Sequence, residues 1–276
     1  MVNPVVAIPV YKPFDRLEAY EIASFRRACA VLGGHAIALF GPDNLNVDAY
    51  LGEAERHTLR PSYERFESSF FSDINGYSAL MLSRSFYERF QAHTHMLVYQ
   101  LDSYVFKDQL VEWCERGYDY VGAPWIEDKS GLQTEGELTG IGNGGFSLRN
   151  VNKAIEVLTT RSPQKSFGAI RTEYSGYSTL ERTLRYPIIA LRAATGWRNN
   201  GHFYATAFTG NEDAFWGELL PASRYEFRLP PAELAISFSF EVAPAQLYRM
   251  NGNTLPFGCH AFARYDPGFW REFIDW

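Results

Sequence analysis

The chain has 276 residues, 46% apolar and 16% aromatic, with a formal net charge of −6. That composition supplies a real core and excludes a wholly disordered chain, while the acidic balance excludes a nucleic-acid binder, which needs a basic face for phosphates. No stretch approaches the ~20 apolar residues of a membrane span, and MVNPVVAIPVYK lacks the basic-then-apolar order of a signal peptide.

Cys29, Cys114 and Cys259 are odd in number and far apart, which fits a reducing cytosol and makes no zinc pattern. A soluble cytoplasmic protein is expected. In chain order, VVAIPV (Val5 to Val10) predicts a buried strand. Ile22, Phe25, Cys29 and Leu32, at helical spacing, predict a helix stopped at Gly33-Gly34. HAIALF (35–40) predicts a second strand ended by Gly41-Pro42. Residues 75–91 predict one helix with Leu80, Phe86 and Phe90 on its apolar side. HMLVYQLDSYVF (95–106) predicts a strand, DQLVEWCERG a helix opened by Asp108 and closed by Gly117, and DYVGAPW (119–125) another strand. This alternation implies an α/β fold with a mostly parallel sheet covered by helices.

In such sheets ligands bind outside the carboxyl ends of the strands. Asp102 falls there, late in its apolar run, where an unpaired buried carboxylate would cost several kcal/mol, roughly. It either caps the next turn or serves as a metal or phosphate-sugar ligand. GIGNGGFSLRN (140–150) surrounds Asn143 with four glycines, which reads as a tight turn or as backbone brought close to a ligand. NEDAFWGELL (211–220) predicts a helix capped by Asn211. Glu212 and Asp213 in its first turn satisfy the helix dipole or supply a general base. PFGCHAF (256–262) sets His260 in an aromatic neighbourhood, structural or ligating. Residues 164–204 are polar and aromatic with few core patterns; we assign them to an acceptor side.

Taken together, YQLDSYVF, GNGGFSLRN, NEDAFW and PFGCHAF resemble a bacterial glycosyltransferase-like family of uncharacterised proteins. More remotely they are similar to nucleotide-sugar glycosyltransferases of the GT-A fold. The resemblance runs from about Val5 to His260 and implies one GT-A-like domain over 1–276. Residues 1–125 would bind the nucleotide sugar, and 126–276 the acceptor and the catalytic groups. It further implies a hexosyltransferase-like enzyme of polysaccharide biosynthesis, with a UDP-sugar favoured as donor and a glycan or glycolipid as acceptor. No membrane span is expected, though peripheral membrane contact is left open. This sequence lacks the family's Asp-x-Asp. Either Tyr104 replaces the second acid, or Gln100 replaces the first and Asp102 is kept; the second alignment is preferred because it retains the carboxylate that touches metal.

By the same resemblance, Asp102 and His260 would hold Mn²⁺ or Mg²⁺ on the donor diphosphate, completed by phosphate oxygens and water. Asp213 would be the base of an inverting transfer, and Glu212 a sugar-hydroxyl or orienting ligand. Gln100, Ser103, Asn143, Gly144 and Gly145 would line the donor site, with Pro9 and Tyr11 meeting the nucleotide base. Trp125 offers a sugar face, while Trp216 is better suited to the core. A metal-independent transferase of the same fold and a non-catalytic sugar-binding protein are the alternatives. A sugar-nucleotide hydrolase or nucleotidyltransferase is opposed by the lack of a Lys/Arg-rich phosphate cradle near the first strand.

Overall fold

Strand β1 (Pro4–Pro9) is buried along its whole length. Val6 and Ile8 join one core with Phe25, Leu32, Leu39 and Leu97, whereas Val5 and Ala7 join another with Phe40, Phe86, Met96 and Val98. A run apolar on both faces belongs inside a sheet covered on both sides. The computed structural model, which describes residues 2–127 and 136–276, puts it there. β1 pairs in parallel with β2 (Ala36–Pro42) and β4 (His95–Tyr99), and β3 (Ser62–Phe66) lies parallel beyond β2. On the other side come β9 (Phe146–Asn150) and β6 (Tyr120–Val121), giving the order β3-β2-β1-β4-β9-β6. Only β9 runs against the rest. The expected α/β class with a mostly parallel sheet holds.

Helix α1 (Ala19–Leu32) buries Phe25, Ala28, Cys29 and Leu32, and Glu21 reaches back to accept the Glu18 N–H at 2.8 Å. Each fully buried large apolar side chain contributes roughly 1.5–3 kcal/mol. Helix α2 (Asp48–Glu55) follows β2. The single helix expected over 75–91 is two, α3 (Ile74–Met81) and α4 (Arg84–Arg89). Ser83 Oγ accepts the Phe86 N–H at 3.2 Å and so restarts the helix one residue after Leu82. Helix α5 (Leu110–Glu115) begins as expected, with Asp108 accepting the Leu110 N–H, and closes at Gly117, whose φ is +72°.

Two expected strands are divided. Residues 95–106 form β4, a turn, and β5 (Tyr104–Val105), which leaves for a second sheet with β11 (Gly258–Cys259) and β10 (Ser239–Phe240). Residues 119–125 divide at Gly122 into β6 and β7 (Pro124–Glu127), the latter paired with β8 (Glu137–Ile141). A Cβ at Gly122 would stand 1.5 Å from the Gly142 carbonyl oxygen, so the two chains cross only because this residue is glycine.

Helix α6 (Val151–Thr159) covers the sheet. The tract 164–204 forms α7 (Phe167–Thr172), α8 (Thr179–Leu184), α9 (Tyr186–Thr195) and α10 (Gly201–Ala207). Helix α11 (Glu212–Ala214) passes into a π-helical turn, Phe215–Leu219. Helices α12 (Ala232–Ala235), α13 (Pro244–Met250) and α14 (Pro267–Trp270) complete the chain around a third core of Phe240, Cys259, Phe262 and Trp270. The three cysteines are free and buried. Among the described residues no helix is long and apolar enough to cross a membrane.

Candidate active site

The reversed direction of β9 builds the site. Because Phe146 pairs with Tyr99, the glycine loop that precedes β9 arrives at the carboxyl end of β4. The Gln100 N–H and the Ser103 hydroxyl both donate to the Gly145 carbonyl, at 2.7 and 3.0 Å. Ser103 is therefore spent on the loop rather than turned toward a ligand. Asp102 occupies the turn between β4 and β5, and its side chain is 37% exposed, so it is not the strand-interior acid expected from the sequence.

His260 joins this turn from the second sheet. Its Nε2 lies 3.2 Å from both Asp102 Oδ1 and Gln100 Oε1, and its Nδ1 lies 2.8 Å from Glu241 Oε1. Burial alone would keep the imidazole neutral, but the carboxylates of Asp102 and Glu241 push its pKa up to about 10. Burial would likewise raise the Asp102 carboxyl; His260 beside it outweighs this and holds it below its ordinary value. A Cβ on Gly145 would fall 2.0 Å from His260 Nε2, so glycine is what lets the imidazole reach the turn.

Asn143 holds the loop in shape from a left-handed conformation, φ +72°. Its Oδ1 accepts the Gly145 N–H at 2.9 Å, its carbonyl accepts the Tyr120 hydroxyl at 2.8 Å, and its N–H donates to Asp213 Oδ2 at 3.0 Å. Its Nδ2 has no partner among the described residues. Glu212 accepts from Arg149 at 2.9 Å with both side chains buried, and its Oε2 also has no partner among the described residues. Burial pushes the Glu212 carboxyl up, opposed by Arg149. Gly144 makes room here too, since a Cβ would meet Glu212 Oε1 at 2.0 Å. Asn211 precedes α11 in extended conformation but its side chain caps nothing, contrary to the sequence expectation.

Asn143, Gly144, Gly145, Glu212, Asp213, Gln100 and His260 converge on one cleft of about 240 Å³. A second hollow of about 300 Å³ shares Gln100, Ile74 and Tyr77 with it and adds Tyr11 and Phe71. Tyr11 is 55% exposed there, whereas Pro9 is buried in β1 and presents no ring to a ligand. Trp125 is packed over Gly142, whose added Cβ would lie 2.1 Å from the indole, and Trp216 is core. A larger groove of about 550 Å³ elsewhere, between α4, α6 and α10, contains Arg84 already paired with Glu88.

Three site residues escaped sequence reading. Glu241 follows the apolar run SFSF, and Arg149 interrupts the apolar strand FSLRN; an ion among large apolar neighbours was the available signal for both. Tyr77 gave none, being a lone tyrosine in the stretch INGYSALM.

A profile of the family described as "Protein of unknown function (DUF5672)" matches residues 60–260. The chain belongs to this family. No curated protein matches it. Among solved structures, this DUF5672 chain is similar to the apo glycosyltransferase GlyE of Streptococcus pneumoniae TIGR4, at 12% identity and TM-score 0.47. That match takes in 100% of this chain but 61% of GlyE, so the chain spans about three fifths of its length. It is also similar to mouse xyloside xylosyltransferase 1, at 10% identity and TM-score 0.46, covering 94% of this chain and 97% of that one. The galactosyltransferase LgtC, solved with donor and acceptor sugar analogues, matches at 12% identity and TM-score 0.42 over 93% of this chain and 86% of its own.

Proposed function

We propose that the protein transfers a sugar from a nucleotide-sugar donor, with a UDP-sugar favoured, to a hydroxyl of a glycan or glycolipid. The observation that carries this reading is the pair of orphaned polar atoms in one cleft. Asn143 Nδ2 is a donor and Glu212 Oε2 an acceptor, both buried and without a partner among the described residues, and both residues line the cleft with Asp213. Leaving such groups unsatisfied costs about 1–3 kcal/mol each, and a sugar, whose hydroxyls both donate and accept, satisfies both types.

In the reaction, the acceptor hydroxyl oxygen attacks the anomeric carbon while its proton passes to Asp213. The bond from that carbon to the diphosphate oxygen breaks, and the nucleoside diphosphate leaves with the bonding pair. One displacement inverts the anomeric configuration. Backbone N–H groups fix both Asp213 oxygens, Asn143 on Oδ2 at 3.0 Å and Ala214 on Oδ1 at 2.9 Å, and the second lone pair of either oxygen takes the proton. Glu212, with one oxygen given to Arg149, orients rather than reacts. Tyr11 and Phe71 offer rings for the nucleotide base.

The diphosphate belongs on the Gln100–Asp102–His260 side. Among the described residues no group of three His, Cys, Asp or Glu side chains could hold a metal. Asp102, His260 and the Gln100 amide oxygen nevertheless suit a hard cation whose shell phosphates complete, with Glu241 as the outer partner of the imidazole. Such an Mn²⁺ or Mg²⁺, when bound, supplies positive charge for the leaving diphosphate. The high pKa of His260 favours a second reading, a metal-independent transferase in which the imidazolium itself meets that charge.

The test is a panel of nucleotide sugars screened by thermal shift in Mn²⁺ and in EDTA, followed by proton NMR of any transfer product. A donor that raises the melting temperature and yields an inverted product supports the reading. No shift with any nucleotide sugar would overturn it. A retained configuration would remove the direct displacement and return Asp213 to its structural bond with Asn143.

A further inference from the structure

The helices between α6 and α11 carry apolar side chains that are exposed among the described residues. Leu180, Leu184, Ile188 and Leu191 are 71%, 72%, 41% and 49% exposed. Leu180 and Leu184 are four apart on α8, and Ile188 and Leu191 three apart on α9, so each pair lies on one face of its own helix. Arg185, at φ −87° and ψ −9°, is the turn residue that ends α8 and precedes α9, so each of the two consecutive helices contributes two of the exposed apolar side chains. Ile189, on the opposite side, is fully buried and anchors α9 to the body. Tyr177, Tyr186 and Trp197 in the same tract are also exposed.

The charge around the stripe is opposite to that of the whole chain. Residues 160–200 hold seven Lys or Arg and two Glu, in a chain of net charge −6. Glu173 is taken by Lys165 and Arg192, and Glu181 accepts the Ser178 N–H that opens its own helix. Arg161, Arg171 and Arg198 remain exposed. Leu/Ile on one helix face, aromatic rings beside them and surplus Arg are the composition of a helix lying in a lipid interface.

We propose that the α8–α9 face docks on a bilayer surface containing anionic lipids, the leucines entering the acyl boundary and the arginines meeting the headgroups. A binding surface of this kind stands without the transferase reading. Where both hold, α10 and residues 208–211 lead straight from it to Glu212 and Asp213, and the acceptor class is lipid-linked.

Co-sedimentation of the full chain with vesicles tests this without donor or acceptor, so its failure leaves the transferase reading untouched. The wild type should pellet with phosphatidylcholine vesicles containing about 30 mol% phosphatidylglycerol, weakly with pure phosphatidylcholine, and less as salt rises. Leu180→Ser/Leu184→Ser should lower the partition coefficient tenfold or more, and Arg171→Glu/Arg198→Glu by a roughly similar factor. These side chains are exposed, so melting temperature and circular dichroism should stay near wild type. Absence of wild-type binding to anionic vesicles, or binding unchanged in the leucine variant, overturns the proposal. So does a vesicle-free dimer, seen by centrifugation, that the leucine variant breaks while vesicles fail to bind, because the face then belongs to a second copy.

Discussion

Arg149 and Glu212 meet at 2.9 Å with side chains 2% and 5% exposed, 63 residues apart in the chain. The pair ties β9 to the start of α11 and so sets the distance between the glycine loop and Asp213. Removing one partner strands the other charge in the interior, and Arg149→Met should destabilise by about 3–5 kcal/mol. Arg149→Met/Glu212→Leu should recover much of that loss, in a cycle followed by urea unfolding. A single-variant loss below about 1 kcal/mol would show that the pair is not needed for the fold.

Gly145→Ala introduces a methyl where the His260 ring already sits, 2.0 Å from Nε2. The imidazole must then leave Asp102 and Gln100. Overpacking of this sort costs about 1–3 kcal/mol, yet the larger effect should fall on the ligand: donor affinity at least about tenfold weaker by calorimetry. Unchanged donor affinity would detach His260 from the donor site.

Asp213→Asn keeps an oxygen for the Asn143 N–H, gives up the bond from the Ala214 N–H and cannot accept a proton. Transfer should fall by ~10²-fold or more, with donor affinity nearly unchanged and stability lowered by no more than roughly 0.5–1.5 kcal/mol for the one lost hydrogen bond. Asp213→Ala should lose the loop hydrogen bond as well, at roughly 0.5–1.5 kcal/mol. An Asn variant with a tenth of the wild-type rate or better is incompatible with Asp213 as base.

The buried His95 is held below the ordinary imidazole pKa by desolvation, against the opposing pull of Asp119. Unfolded, it titrates near ~6.5. Below that pH the unfolded chain takes up the proton first, so stability is lost as pH falls from about 6.5 toward the lower folded value. Urea unfolding at several pH values should show the decline, and His95→Gln should flatten it. Equal slopes in both proteins would assign the acid sensitivity to other groups.

Most of the sheet was legible because its strands are apolar on both faces, a pattern that needs no tertiary information. The breaks were not. Leu82-Ser83 divides a helix by a hydroxyl cap, Gly122 divides a strand by a backbone crossing, and β5 departs to pair with residues some 150 positions later. The last two depend on a partner remote from the local pattern, whereas the Ser83 cap is local, three residues before Phe86. The cleft shows the same division. Asn143, Gly144, Gly145, Asp213 and His260 stood out by residue type, whereas Ser103 and Pro9 did not reveal from sequence that they face inward. Arg149 and Glu241 become meaningful only once Glu212 and His260 lie beside them.

Asp102 sits where the chain leaves one sheet for another: Gln100 belongs to the end of β4, while Glu241 and His260 come from beside β10 and β11. The two sheets thus share a short covalent crossing and this knot of polar side chains. Whatever occupies that knot is a rivet between them, and removing it frees each sheet to breathe on its own. Amide protons of β5 and β11 would then exchange independently of those in β4 when the cleft is empty, and in step with them when it is filled.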